Sequence, residues 1–188
     1  GRGGYSPYSS DDDIYGSPFE PVTMGSGAKY TKGGAALRLI VSDVLWLDGS
    51  IAMDGQKQSS SASGGGAGGS AWISAGTLRG SGGSVSAVGG EHYSTSAGGG
   101  GGRVALYCDT SEYADGDGVP SLAANGGDSH SSYDWDGGPG TVYIDCGSRT
   151  KTLLLDNNRS PATPKTFVDA NGADFDEIKL IGHSSLSL

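Results

Sequence analysis

The sequence predicts an all-β protein: a parallel β-helix, or β-solenoid, with about 34–38 residues per coil and with its glycine-rich loops stacked on one side. Three observations support this prediction. Glycine supplies 36 of the 188 residues, well above its usual share of about 7%. The apolar residues fall into short runs that glycine separates, and these runs recur at a nearly constant spacing. Such clustering is typical of thin stacked sheets.

The apolar runs have the alternation of strands. In Ala35–Leu47, for example, apolar side chains at Leu37, Leu39 and Val41 alternate with other residues, which places them on one face of a strand. β-branched and aromatic residues are frequent in these runs, and glycine bounds them, as expected of strands. No segment keeps the helical spacing of apolar residues over three turns, so we expect almost no helix.

An internal repeat sets the predicted length of a coil. Gly34–Gly55 matches Gly68–Gly89 at an offset of 34 residues. Leu39 then meets Ile73, Val44 meets Leu78, and Ile51 meets Val85. We therefore predict one segment of a longer chain, spanning 1–188, because stacked units bury a face that one unit cannot bury alone. Its repeats are expected at about 33–67, 68–100, 101–137, 138–174 and, in part, 175–188, with 1–32 as the loop of a preceding coil.

The glycine-rich loops recur at the same phase of each repeat. They span 56–69, 89–102 and 126–140. Stacking them is one interpretation, since glycine allows close approach of two backbones. Flexible glycine/serine linkers are the alternative. Stacking is favoured because four large aromatic residues, which linkers would expose, lie in or beside the loops: Trp72, Tyr93, Tyr133 and Trp135.

The two cysteines occupy equivalent positions in two repeats. Placing RVALYC on TVYIDC aligns Cys108 with Cys146. Equivalent residues of neighbouring parallel strands lie about 4.8 Å apart, and a disulfide tolerates Cα separations of about 4.4–6.8 Å. We therefore predict a Cys108–Cys146 disulfide, with two free buried thiols as the alternative. The disulfide would indicate an oxidising, extracellular or cell-surface setting.

The charge of the chain excludes two classes of partner. The net charge is −9, and a nucleic-acid backbone requires lysine and arginine to neutralise its phosphates. Anionic membrane surfaces are disfavoured for the same reason. No apolar run approaches the roughly 18 residues of a membrane-spanning helix. We therefore expect no nucleic-acid partner and no membrane partner.

The sequence carries no pattern typical of an enzyme. Neither a nucleophile elbow nor an HExxH zinc motif occurs. GxGxxG matches arise by chance among so many glycines and open no helix, so they do not indicate dinucleotide binding. Of the three histidines, His92 and His130 lie in glycine/serine loops, where we expect them to face solvent. We predict that the chain is not an enzyme and that it has no resident cofactor.

The sequence contains two further candidate sites. Asp115 and Asp117 lie in a DGDG turn, and such a turn could hold calcium through several oxygens. The alternative is an acidic turn, in which Asp and Gly supply only the turn conformation. Asn158 opens an Asn-Arg-Ser sequon that could carry an N-linked glycan, although Pro161 follows the serine.

Several phrases of the sequence resemble a known repeat type. GGAALRLIVSDVLWLDGSIAMDG, GGSAWISAGTLRGSGGSVSAVGG, GGGGGRVALY and GGPGTVYI are similar to the glycine-rich parallel β-helix repeats of large secreted and cell-surface proteins, which are adhesin-like or fibre-forming. The resemblance covers nearly the whole chain and implies a stalk or a filament wall. Two departures are visible: Met53-Asp54 stands where those repeats have Ala-Asn, and 109–119 is unusually acidic.

We therefore expect a structural building block of an extracellular fibre, stalk or surface appendage. Its partners would be further copies or neighbouring segments of the same fibre. One alternative is a carbohydrate-binding or adhesive module that uses the loop aromatics to bind surface polysaccharide, since Tyr and Trp rings stack on sugars. The other alternative is a β-helix enzyme acting on polysaccharide, although the strands carry few charged residues for a catalytic groove.

Overall fold

The computed structural model describes residues 16–58, 63–92, 96–114, 116–129, 136–157, 166–168, 174–182 and 184–187. None of these residues is helical, so the described part of the chain contains no helix that could cross a membrane. The prediction of an all-β protein is therefore confirmed. The strands are β1 (Ala36–Trp46), β2 (Ser50–Ala52), β3 (Ser70–Gly80), β4 (Ser84–Ser86), β5 (Arg103–Tyr113), β6 (Ser121–Ala123), β7 (Thr141–Cys146), β8 (Thr152–Asp156), β9 (Thr166–Phe167), β10 (Glu177–Ile181) and β11 (Leu186–Ser187).

The largest sheet has six strands in the order β1-β3-β5-β7-β8-β10. Its first four strands are parallel, and equivalent residues of successive repeats lie opposite each other. One such row consists of Leu39, Ile73, Leu106 and Ile144. The predicted pairing of Leu39 with Ile73 is therefore confirmed. It holds because β-branched and leucine side chains on one face of each strand pack on the same face of the next.

A β-bulge shifts this register once. Val41 pairs with Ala75, but Val44 pairs with Thr77, because β1 has one more residue than β3 between these positions. Leu45, and not Val44, therefore lies opposite Leu78. The predicted equivalence of Val44 with Leu78 is wrong by one residue, since an extra residue in one strand moves every later side chain to the other face.

A second, smaller sheet encloses the core. It is parallel, has the order β2-β4-β6, and aligns Ile51, Val85 and Leu122. The predicted pairing of Ile51 with Val85 is confirmed. Its side chains pack against the inner face of β1, β3, β5 and β7, where Ile73 and Val104 are fully buried. The main core is thus a thin layer between two sheets.

The predicted single parallel β-helix is wrong. β7 and β8 pair in antiparallel fashion, with Val142 opposite Leu154, so the large sheet is mixed. The strands form separate six-, three- and two-stranded sheets and do not close into a solenoid. The cause is a tight turn after Cys146, where Gly147 has φ +65° and the Arg149 amide donates to the Cys146 carbonyl. Glycine tolerates this left-handed conformation, so the chain folds back as a hairpin.

The hairpin places a second small core on the other face of the large sheet. Leu153, Leu155 and Val168 are buried there, and Phe175 and Leu186 pack against them. β10 continues the sheet parallel to β8, and β11 pairs with β9. Since neighbouring residues of a strand point to opposite faces, the run Leu153–Leu155 supplies apolar side chains to both cores: Leu154 packs against the main one.

Candidate functional site

The predicted disulfide is confirmed. Cys108 on β5 lies directly opposite Cys146 on β7, with the Cα atoms 4.3 Å apart. Both cysteines of the chain are in this bond, and both are buried in the main core. The bond joins the parallel part of the sheet to the strand that begins the hairpin. A disulfide of this kind is compatible with an extracellular protein.

Of the other predicted site residues, only Asp117 lies within the described part of the chain. Asp117 is exposed, while Asp115 and Asn158 lie outside the described residues. Within the described ranges there is no group of three or more His, Cys, Asp or Glu side chains that could hold a metal ion. The calcium site and the glycan therefore remain predictions.

The expectation that His92 faces solvent is wrong. It is fully buried, its amide donates to the Asp128 carbonyl at 2.7 Å, and it forms a parallel bridge with Gln58. His130 and His183 lie outside the described residues. The reason for the burial of His92 is that the glycine-rich segments around it pack against each other.

We use the name glycine array for the segments 65–69, 89–90, 98–102, 126–127 and 137–140. These segments lie almost entirely outside strands, yet most of their residues are buried. Backbone hydrogen bonds join them in a chain: Gly90 donates to Gly66, Gly99 to Gly90, Gly127 to Gly99, and Gly137 to Gly127, at 2.7–2.9 Å. Flexible linkers would leave these groups in water, so the linker alternative does not hold for the described glycines.

The glycine array excludes side chains at its contacts. A Cβ atom added to Gly90 would lie 2.2 Å from the carbonyl oxygen of Gln56, and one added to Gly99 would lie 2.0 Å from that of Gly66. Backbone atoms cannot move aside as a flexible side chain can. Gly90 and Gly99 are therefore glycine because a neighbouring backbone occupies the space of a Cβ atom, as at the crowded axis of collagen.

Four aromatic rings cluster on the face of the large sheet that is turned away from the main core: Phe19, Tyr107, Tyr143 and Phe175. Phe19 meets the Tyr143 ring edge to face at 5.0 Å and lies 5.5 Å from the Phe175 ring. The Tyr107 hydroxyl donates to the Phe19 carbonyl at 2.9 Å. These contacts hold residues 16–20 against this face of the sheet. Sequence reasoning missed it, because no spacing relates Phe19 to strands more than 80 residues away.

Burial raises the pKa of both tyrosines in this aromatic cluster. For Tyr107 the largest cause is desolvation by burial, and the neighbouring Tyr143, Asp145 and Glu20 raise its pKa further. The pKa of Tyr143 is raised mainly by burial and then by Asp145. A phenolate is harder to form where water is excluded and carboxylates are near. Both hydroxyls are therefore protonated at neutral pH and can act as hydrogen-bond donors.

The β1 edge of the large sheet is open among the described residues. Leu39 and Ile51 of the outermost layer are partly exposed, whereas their partners Ile73 and Val85 in the next layer are fully buried. On the other face of β1, Ile40 and Trp46 are 61% and 64% exposed. A long apolar edge strand with unpaired backbone groups is a template for pairing with another strand.

The strand at the opposite edge, β10, is also apolar and exposed. Ile178, Leu180 and Ile181 are all more than two-fifths exposed. Lys179 and Glu177 form an ion pair with each other at 3.0 Å. Among the described residues, β1 and β10 have no further strand beside them, and both carry large exposed aliphatic side chains. This arrangement offers surfaces for association more plainly than it offers a reactive centre.

Comparison with known proteins adds no relative: no protein-family model, no curated protein and no solved structure matches the chain.

Proposed function

We propose that this chain is a structural building block of an extracellular fibre, stalk or surface appendage, in which the β1 edge of one copy pairs with the β10 edge of the next. The observation that carries the proposal is the open β1 edge. The β1 strand has 11 residues, about twice the most common strand length of about 5–6 residues in globular proteins. The core layer beneath it is partly exposed. Native proteins otherwise shorten, charge or cover such an edge.

Strand direction supports pairing between unlike edges. β1, β3, β5 and β7 run parallel, β8 reverses, and β10 follows β8. β10 is therefore antiparallel to β1. Copies stacked in the same orientation would form an antiparallel ladder between β10 and β1, which is slightly more stable per residue than a parallel one. Because the two surfaces differ, each addition leaves a new open edge, and the assembly grows as a filament.

Three further features suit a load-bearing element outside the cell. The disulfide joins β5 to β7, and such bonds persist in oxidising compartments. The glycine array pairs buried backbone groups in several directions, which stiffens the part of the chain outside the strands. The net charge of −9 keeps the chain soluble and limits non-specific association.

Light scattering after size exclusion, together with negative-stain electron microscopy, tests the proposal on the purified chain. We expect concentration-dependent assembly into linear particles. Ile40→Lys should block the β1 edge and Leu180→Lys the β10 edge, so each variant alone should be monomeric. Val22→Lys is the matched control, since Val22 is exposed but lies outside every strand, and it should assemble like the parent chain.

Mixing the two blocked variants makes the test specific for head-to-tail pairing. Each retains one intact edge, and these two edges are complementary. We therefore expect a one-to-one dimer from the mixture and no growth beyond it. A parent chain that stays monomeric at millimolar concentration, or assembly that Ile40→Lys and Leu180→Lys leave unchanged, would overturn the proposal.

A further inference from the structure

Residues 16–21, which we name the strap, contact an aromatic groove on the face of the large sheet that is turned away from the main core. The groove consists of the rings of Tyr107, Tyr143 and Phe175, whose neighbouring centroids lie 5.5 and 6.1 Å apart. Phe19 packs against two of these rings, at 5.0 Å from Tyr143 and 5.5 Å from Phe175. The Tyr107 hydroxyl donates to the Phe19 carbonyl at 2.9 Å. The groove thus binds an aromatic side chain together with the carbonyl of the same residue.

The strap has the composition of a peptide ligand. Its sequence Pro18-Phe19-Glu20-Pro21 places two prolines three residues apart, and both prolines are buried. Proline fixes its own φ and restricts the residue before it. The Ser17 hydroxyl adds a local turn, since its oxygen accepts from the Phe19 and Glu20 amides at 3.1 Å. The strap therefore loses little conformational entropy on docking, as do the proline-rich peptides that dock in aromatic grooves of recognition domains.

An exposed connection, 22–24, joins the strap to the rest of the chain. Val22 and Met24 in this connection are 57% and 67% exposed, and the connection belongs to no strand. The backbone is anchored at Gly25, whose amide donates to the Gly34 carbonyl at 2.9 Å. Rotation of the backbone within the connection would therefore lift the strap and leave the pairing of the strands unchanged.

The contacts that a lifted strap loses can all be formed again in a second copy. They are the ring contacts of Phe19, its hydrogen bond from Tyr107, the burial of the two prolines, and a hydrogen bond of 2.6 Å from the Ser70 hydroxyl to the Thr23 carbonyl. Every copy carries the same strap and the same groove, so exchange replaces the groove contacts by identical ones. Phe19 precedes the anchor at Gly25 by six residues and therefore reaches up to about 20 Å from it.

We propose that the aromatic groove accepts the strap of a second copy, so that exchanged straps tie neighbouring copies together. A strap on a short connection has an effective concentration in roughly the millimolar range for its own groove. Exchange therefore competes only where copies are crowded, and in this respect it rests on the fibre proposed above. The contact itself uses neither the β1 edge nor the β10 edge, so it is a second link that side chains mediate.

Calorimetric titration with a synthetic peptide tests the groove by itself. The probe is the acetylated and amidated peptide GSPFEPVTM, which is residues 16–24, and the protein is the 188-residue chain with Phe19→Ala. We expect saturable one-to-one binding, because this variant keeps the groove but lacks the side chain that fills it. The parent chain should bind the peptide at least about tenfold more weakly, because its own strap occupies the groove. A peptide with Phe19→Ala should not bind, whereas the matched control peptide with Val22→Ala should bind like the unchanged one.

Mixing two variants of the chain tests exchange between copies. Phe19→Ala has an intact groove and a strap without its ring, and Tyr107→Ala has an intact strap and a damaged groove. Both also carry Ile40→Lys and Leu180→Lys, so that the sheet edges cannot pair. We expect each protein alone to be monomeric and the mixture to form a one-to-one dimer, measured by light scattering after size exclusion. Circular dichroism checks folding, and Tyr107→Phe, which removes only the hydroxyl, replaces Tyr107→Ala if that variant does not fold.

Three results contradict strap exchange. The first is no saturable binding of the peptide to the Phe19→Ala chain at millimolar concentration. The second is equal binding of the unchanged peptide and the peptide with Phe19→Ala. The third is a mixture that stays monomeric although the peptide binds, which would show that the groove does not take the strap of another copy. These results are separate from fibre assembly, since filaments are measured with both sheet edges intact and strap exchange with both edges blocked.

Discussion

The hydroxyl of Tyr113 donates to the carbonyl oxygen of Leu47 at 3.0 Å, across 66 residues of sequence. The hydroxyl oxygen of Tyr113 in turn accepts the amide hydrogen of Gly83 at 2.6 Å. One buried side chain thus joins the ends of β1 and β5 and the residue that precedes β4. The contact closes the main core at the end where the two sheets are connected.

Tyr113→Phe should therefore destabilise the fold. The substitution keeps the ring but leaves the Leu47 carbonyl and the Gly83 amide without this partner, which costs about 1–3 kcal/mol for buried groups. Tyr30→Phe is the matched control: Tyr30 is 58% exposed, so its effect should stay within about 0.5 kcal/mol. Urea unfolding followed by circular dichroism measures both. Equal midpoints for the two variants would show that the Tyr113 hydroxyl is dispensable.

The glycine array predicts a position-dependent response to alanine. Gly90→Ala places a Cβ atom against the Gln56 carbonyl, so stability should fall by about 1–3 kcal/mol or more, as for overpacked cores. Gly49→Ala is the control. A Cβ atom at Gly49 meets nothing within 4 Å, and its φ is outside the left-handed region.

At Gly49 the same substitution only restricts the unfolded chain. Stability should be unchanged or rise by about 0.4–1 kcal/mol. Thermal unfolding by calorimetry compares the two variants. If Gly90→Ala melted at or above the parent temperature, the close packing of the array would be wrong.

The disulfide predicts a large effect of reduction. It closes a loop with a sequence separation of 38 residues, and the chain-entropy model gives about 4 kcal/mol for such a loop. The free energy of unfolding of the double variant Cys108→Ala, Cys146→Ala should fall by a similar amount, together with any change that the smaller alanine side chains cause in core packing. The measurement is the free energy of unfolding of the parent chain with and without reductant. Reductant should have no effect on the double variant, which controls for its action on the rest of the chain.

The aromatic cluster predicts a loss of stability at alkaline pH. An unfolded tyrosine has a pKa near 10, and burial raises the pKa of Tyr107 and Tyr143 in the folded chain. The folded state therefore holds these protons more tightly. Their contribution is fully present below pH about 10 and declines as the pH rises further towards the folded pKa values. The Tyr107 phenolate also cannot donate to the Phe19 carbonyl.

Urea midpoints between pH 8 and pH 11.5 measure this loss, and absorbance of the phenolate follows the titration itself. Tyr107→Phe is the control, because a phenyl ring has no proton to lose. Its stability should decline less above pH 10 than that of the parent chain. Parallel declines in both proteins would show that ionisation of Tyr107 does not contribute.

The sequence alone was sufficient for the features that repeat. Strand identity follows from alternation, as at Leu37 and Leu39, and the pairing of Leu39 with Ile73 follows from a constant offset. The disulfide follows from the same offset, since equivalent residues of neighbouring parallel strands lie side by side. Periodic patterns are readable because each residue has the same neighbours in every repeat.

Three features depend on contacts between residues that the repeat spacing does not connect. Only the tertiary structure decided them. The turn at Gly147 reverses β8 and makes the sheet mixed, although the sequence on either side continues the apolar pattern. The side-chain nitrogen of Asn157 is buried without a partner among the described residues, and Tyr113 reaches Leu47 across the core. These are single long-range contacts, whose energy depends on where distant backbones lie rather than on local spacing.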